Sequence, residues 1–299
     1  MTPFLFLRQL LAARLPAEAR NWLEASLVEI AAGPANARFC ALFSQASRFA
    51  QRTGLGPTAS ELETAGRLLA GWNPERWSQL EALRVALILA LPDLAGDGGK
   101  LALAEAFRYA DEGELCALQR SLALLPGAER FLWQAGEGCR SNMRSVFEAA
   151  ALDTPFPARH FEDLAWRQCV IKCLFVGAPL WRLWGLDTRL GPELARMALD
   201  LADERRSAGR PVPHELWLCL GTHGGERGLA ALERELAPTN ANSAGRCGAL
   251  LALARAGQAR RLAALEREVR DPALADTLAR VRAGETDACT FRHLEAVKT

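Results

Sequence analysis

Nowhere in the chain does a run of β-branched residues alternate with polar ones, and that lack most limits what it can fold into. A half-buried strand needs such a period-2 pattern. Ala and Leu dominate instead, and signals that start and stop helices recur from one end to the other. Pro16 opens a segment over 17–30 in which Trp22, Leu23, Leu27 and Ile30 share a face, and Gly33-Pro34 closes it. Phe39, Leu42, Phe43, Ala46 and Phe49 repeat the 3–4 spacing. Thr58-Ala59-Ser60-Glu61 is a capping box, in which hydroxyl and carboxylate each satisfy a free N–H at the helix start. Asn73-Pro74-Glu75 has the order of a cap, a first-turn proline and an acid, and predicts a helix from there to Leu91. Further helices are predicted over 101–109, 114–124, 128–134 and from Pro192 to Ser207. The expected fold class is all-α.

A repeat refines that expectation. Residues 229–236 (LAALEREL) return at 262–269 (LAALEREV), 33 positions on. This period suits a helix–turn–helix unit stacked with its neighbours, so the expected architecture is a HEAT-like α-solenoid, an array of antiparallel helical hairpins. The 299 residues are read as one such domain, with N-terminal helices over 1–135, a distinctive block over 136–217 and C-terminal hairpins over 218–299.

Composition excludes several functions. Half the residues are hydrophobic and 24% are charged, which is globular rather than disordered. Thirty-six basic against 35 acidic residues leave a net charge of +1. That balance argues against a nucleic-acid partner and gives no reason to expect attraction to anionic lipid. No stretch approaches the ~20 apolar residues of a membrane helix, and the first residues lack the pattern of a secretory signal. Eight scattered cysteines with no C-x-x-C read as reduced, mostly buried thiols. A protein without direct membrane insertion, located in the cytoplasm, is expected.

The block over 140–217 concentrates polar side chains that the Ala/Leu/Arg/Glu flanks do not match. Arg144 and Glu148, four apart, can pair along one helix. Asp153-Thr154-Pro155-Phe156-Pro157 is expected to be a stiff, extended connection, because prolines remove donors and restrict the residue before them. The next helix is expected to start with His160-Phe161-Glu162-Asp163, acids in its first turn, and carries Trp166, Cys169, Val170 and Cys173 as its apolar stripe. Lys172 sits among Val170, Ile171, Cys173, Leu174 and Phe175. It must reach water or a carboxylate, with Glu148, Glu162 and Asp187 as candidates. Two readings stay open, an internal ion pair that fixes helix register and an anchor for an anionic or carbonyl-bearing ligand. Trp181 and Trp184, with Arg182 and Arg189, either line a pocket for a planar or acidic molecule or plug a gap between helices.

The strings Arg140-Ser141-Asn142-Met143, Val146-Phe147-Glu148-Ala149, Pro155-Phe156-Pro157 and His160-Phe161 occur in order with Trp166-Arg167-Gln168. Lys172-Cys173-Leu174-Phe175-Val176-Gly177, Gly185-Leu186-Asp187, Glu193-Leu194-Ala195-Arg196-Met197 and Gly209-Arg210-Pro211-Val212 follow. In this block the chain resembles the EboA family. It departs from the family pattern at Thr154, where Asn is usual, at Phe156, where Tyr is usual, and at Cys169 and Cys173. The resemblance implies a part in moving a secondary-metabolite precursor towards the cell envelope. The implied partners are a small-molecule metabolite, proteins of the same gene cluster such as a membrane prenyltransferase, or both. It implies no catalytic residue and no cofactor. The motif positions Asn142, Arg144, Glu148, His160, Gln168, Lys172, Asp187 and Arg189, together with Trp181 and Trp184, are the candidate ligand- or partner-binding residues.

Other chemistry finds little foothold. His214-Glu215-Leu216-Trp217-Leu218 begins like a zinc-protease helix but has Leu218 where the second histidine belongs. No metal site is expected, although Cys169, Cys173 and His160 are the three side chains that could form one. The glycine-rich stretch 221–228 follows no strand and ends in no Gly-Lys-Ser/Thr, so it reads as a loop between helices. The leading expectation is a scaffold or adaptor that binds without transforming. The alternatives are an enzyme of the same pathway, of lyase, isomerase or transferase type, with Lys172, Glu148, His160 and Asp187 around one cavity, and a helical-repeat module that grips a protein in an apolar groove.

Overall fold

The computed structural model describes residues 1–266 and 271–297. Every regular element among them is helical, and an isolated antiparallel bridge joins Gly54 to Ser78. The chain forms two compact units, Met1–Glu162 and Asp163–Thr299, so the division falls inside the polar block.

In the first unit α1 spans Pro3–Arg14, α2 Ala17–Ala31, α3 Asn36–Gln45, α4 Ala59–Leu68 and α5 Gln79–Leu89. They are followed by α6 (Asp97–Tyr109), α7 (Glu112–Ser121), α8 (Leu132–Arg140), α9 (Arg144–Ala151) and α10 (Phe156–His160). The Thr58 capping box forms as expected, with Thr58 Oγ1 accepting from Glu61 N at 3.3 Å and the Glu61 carboxylate accepting from Thr58 N at 2.7 Å. Asn73-Pro74 does not open α5. The Asn73 side chain accepts from Glu75 N at 2.9 Å and closes a tight turn, and the helix starts at a second capping box, Ser78 with Glu81. The expected extended connection over 153–157 is also corrected. Asp153 adopts a left-handed φ of 58°, and α10 starts at Phe156 with Pro157 in its first turn, where a missing N–H costs nothing.

α5 is buried almost all round through Leu80, Leu83, Val85, Leu87 and Ile88. Helices α1, α2 and α7 pack on it, α9 packs on α7, and α8 on α9. This unit is therefore organised around one apolar helix.

The second unit contains α11 (Asp163–Val176), α12 (Pro192–Ser207), α13 (Gly225–Leu236), α14 (Ser243–Arg255), α15 (Ala259–Glu266) and α16 (Pro272–Arg282). Three 3-10 segments, Leu180–Arg182, His214–Cys219 and Ala288–Ala296, complete it. On α11 the predicted stripe of Trp166, Cys169, Val170 and Cys173 is buried. The first copy of the sequence repeat lies on α13; residues 267–269 of the second fall outside the described residues. Among the described helices, none is long and apolar enough to cross a membrane.

Here α14 takes the central place, packed by α13, α15, α16 and the segments at His214–Cys219 and Ala288–Ala296. Its close approach to the first of these segments depends on Gly248, where a Cβ would lie 2.6 Å from the His214 carbonyl oxygen. Backbone cannot rotate aside as a side chain can. Gly248→Ala is therefore expected to destabilise the protein by about 1–3 kcal/mol despite alanine's better helix propensity, read as a lower urea midpoint.

Candidate functional site

Four of the ten candidate residues belong to the first unit. Asn142 is exposed in the turn before α9. On α9, Arg144 Nε donates to Glu148 Oε1 at 2.7 Å, the expected i,i+4 pair. His160 ends α10 with its ring 4.8 Å from that of Phe156, and burial lowers its pKa from the ordinary value. The imidazole is thus neutral at physiological pH.

The other six belong to the second unit, on or just after α11. Gln168 is exposed and Lys172 half-buried. Arg189 Nη2 donates to Asp163 Oδ1 at 2.8 Å, and its guanidinium lies 4.9 Å from the centre of the Trp166 ring. It ties the segment after α11 back to the start of that helix. Trp181 sits in the short turn Leu180–Arg182, and its indole N–H donates to Glu295 at 2.8 Å. The backbone N–H groups of Leu180 and Trp181 donate to the two carboxylate oxygens of Glu215 at 3.1 and 3.2 Å. Burial pushes the Glu215 carboxyl up to about 7 against the pull of those two bonds. Trp184 is exposed.

Asp187 is the candidate with the most structure around it. One carboxylate oxygen pairs with Arg255 Nη2, at the end of α14, and the other accepts from the backbone N–H of Ala288 at 3.1 Å. Arg255 Nη1 in turn donates to the Thr286 carbonyl at 2.8 Å. This ion pair fixes one wall of an open cleft of about 600 Å³. Thr188, Leu190, Thr222, His223, Thr286 and Asp287, with Gly221 and Gly284, supply the rest of the lining. The cleft thus offers hydroxyl groups, an imidazole and a neutralised acid–base pair on a formed surface. Its volume is in the range of small-molecule sites.

Sequence reasoning missed Arg255, Thr222 and Thr286 as lining, because nothing local marks them. Residues 221–223 belong to the glycine-rich stretch expected to be loop, and they form part of the wall. Among the described residues, no group of three His, Cys, Asp or Glu side chains is arranged to hold a metal ion.

The family model described as metabolite traffic protein EboA matches residues 4–221. The chain belongs to the EboA family. The match includes all ten candidate residues and the cleft residues Asp187, Thr188, Leu190 and Gly221; Thr222, His223, Arg255, Gly284, Thr286 and Asp287 lie beyond it. No curated protein and no solved structure matches the chain. The EboA family name suggests a role in metabolite traffic.

Proposed function

We propose that this EboA protein is a soluble, cytoplasmic binding protein that carries a small molecule, a secondary-metabolite precursor bound for the cell envelope, without transforming it. The observation that carries this reading is the cleft at Asp187, of ligand size and walled by a motif segment of the polar block. Its charged pair is spent on architecture, since Asp187 and Arg255 hold each other and two backbone groups. Recognition would then fall to the hydroxyl groups and the imidazole. An enzyme built on Lys172, Glu148, His160 and Asp187 has less support, because Glu148 and Asp187 each already pair with an arginine.

Native mass spectrometry of the protein purified from its own host tests the proposal. A small molecule should travel with the wild-type chain and be lost from Thr222→Trp, which fills the cleft from an exposed position with the helical circular dichroism unchanged. Retention of the same molecule in Thr222→Trp would remove the cleft from the mechanism.

A further inference from the structure

A second cavity, of about 370 Å³, opens in the C-terminal unit between the segment after α12 and the end of α13. Arg206, Arg210 and Arg234 line it against a single carboxylate, Glu235, which leaves an excess of two positive charges at one concave surface.

The three arginines are held differently. Arg206 is fixed from beneath. Its guanidinium lies 5.4 Å from the centre of the buried Trp217 ring, and Nη2 donates to Glu235 at 2.9 Å and to the Ala231 carbonyl at 3.3 Å. Glu235 is only 4% exposed, so its charge is committed to that pair. Asp203, 3.9 Å from Arg206, is shared with Arg227 on α13. Arg210 and Arg234 are exposed and have no carboxylate within ion-pair distance among the described residues. The arginines around them are spent: Arg196 on Glu193 and Asp200, Arg227 on Asp200 and Asp203, and Arg205 on the Pro211 carbonyl. The chain leaves its guanidinium groups unneutralised at the mouth of a cavity.

The walls are formed before any ligand arrives. Arg205 Nε holds Pro211 O at 2.7 Å, and Asn242 reaches Val212 O at 3.4 Å. Opposite, Asn240 Nδ2 donates to Glu235 O at 2.8 Å and its Oδ1 accepts from Asn242 N at 3.0 Å. The ordering cost left for binding falls mainly on the side chains of Arg210 and Arg234.

We propose that this cavity binds the phosphate group of a small molecule. Two uncompensated guanidinium charges match the roughly −1.5 to −2 charge of a phosphate ester near neutral pH, where one carboxylate would leave half of them unanswered. The planar donor forks of Arg210 and Arg234 suit tetrahedral oxyanions, and Thr239 and Asn240 add neutral polar groups at the rim. The site shares no lining residue with the Asp187 cleft, so it stands or falls separately from the function proposed above.

Isothermal titration of the full chain with inorganic pyrophosphate, at low ionic strength and pH 7.5, tests this. One saturable site is expected, weakened by added salt. Arg210→Ala and Arg234→Ala should each weaken it about tenfold or more, as expected for lost charge-assisted hydrogen bonds, and the pair should abolish it. Arg227→Ala, outside the cavity, should leave it unchanged. Acetate should bind at least about tenfold more weakly than pyrophosphate. Glycerol 3-phosphate and vesicles containing phosphatidic acid separate a soluble phosphate ester from a lipid headgroup, and binding of either must vanish in the double variant. All three positions are exposed, and circular dichroism verifies each fold. Pyrophosphate binding that survives the double substitution, equal affinity for acetate, or no saturable binding by the wild type overturns the proposal.

Discussion

Arg84→Ala should lower the unfolding free energy by about 3–5 kcal/mol, the usual cost of removing one partner from a buried ion pair. Arg84 projects from the buried helix α5 and is 2% exposed. Its Nε donates to the Phe43 carbonyl at 3.2 Å, Nη2 reaches Glu114 at 3.3 Å, and the guanidinium lies 5.3 Å from the centre of the Phe43 ring. Burial lowers the arginine's pKa, while Glu114 and Asp111 oppose that shift. Truncation would strand the Glu114 carboxylate, itself buried, and leave the Phe43 carbonyl without its donor. Replacing both charges should cost far less. In Arg84→Met with Glu114→Gln the thioether fills the space, and the amide oxygen still accepts from Asp111 N, as Glu114 does at 3.1 Å. Urea titrations of the three proteins, with equal m-values, give the comparison. A cost below about 1 kcal/mol for Arg84→Ala would mean that the stranded carboxylate finds water or a proton.

What the sequence makes legible here depends on how far apart the deciding residues lie. Helix starts are legible where two side chains three positions apart settle them, as at Thr58 and Glu61, and α12 runs from Pro192 to Ser207 as read. Asn73-Pro74-Glu75 misleads because an asparagine that bonds two residues on makes a turn from the same letters. Val85 to Leu89, an uninterrupted apolar run in the sequence, falls on α5, the helix at the centre of its unit, whereas nothing in the letters of α14 sets it apart as the centre of the other. The candidate residues show the same limit. The Arg144–Glu148 pair is local, so its i,i+4 spacing makes it legible. Arg255 lies 68 positions from Asp187, and Asp163 lies 26 from Arg189, so neither partner can be read from spacing. The polar block looks continuous in sequence, yet the boundary between the two units divides its candidates four and six.

Glu215→Gln should erase a pH dependence of stability, so that its stability relative to wild type rises between pH 5 and pH 8. Glu215 looked in sequence like a fragment of a metal-binding helix, and its role comes from elsewhere. Its carboxyl group reaches the start of the turn that carries Trp181, 34 and 35 residues earlier, and burial holds it there with a pKa of about 7. Glu295 pushes that value further up, and Arg182 pulls it down. The unfolded chain releases this proton near the ordinary glutamate value of 4.5. Between 4.5 and about 7 the folded state therefore binds more protons than the unfolded one. By linkage, stability falls as pH rises through that window, by about 3 kcal/mol in all. Glutamine cannot ionise, but its amide nitrogen cannot accept, so one of the backbone N–H groups of Leu180 and Trp181 loses its acceptor and the variant should start about 1–3 kcal/mol below wild type near pH 5; relative to wild type it should then gain about 3 kcal/mol by pH 8. Histidines that titrate in the same range, His214 among them, act in both proteins and cancel in the difference. The readout is the difference between two urea-derived stability curves over pH 5–8. Parallel curves would mean that the carboxylate keeps its charge inside the fold, and that the Trp181 turn rests on an ionised cap rather than on a neutral acid.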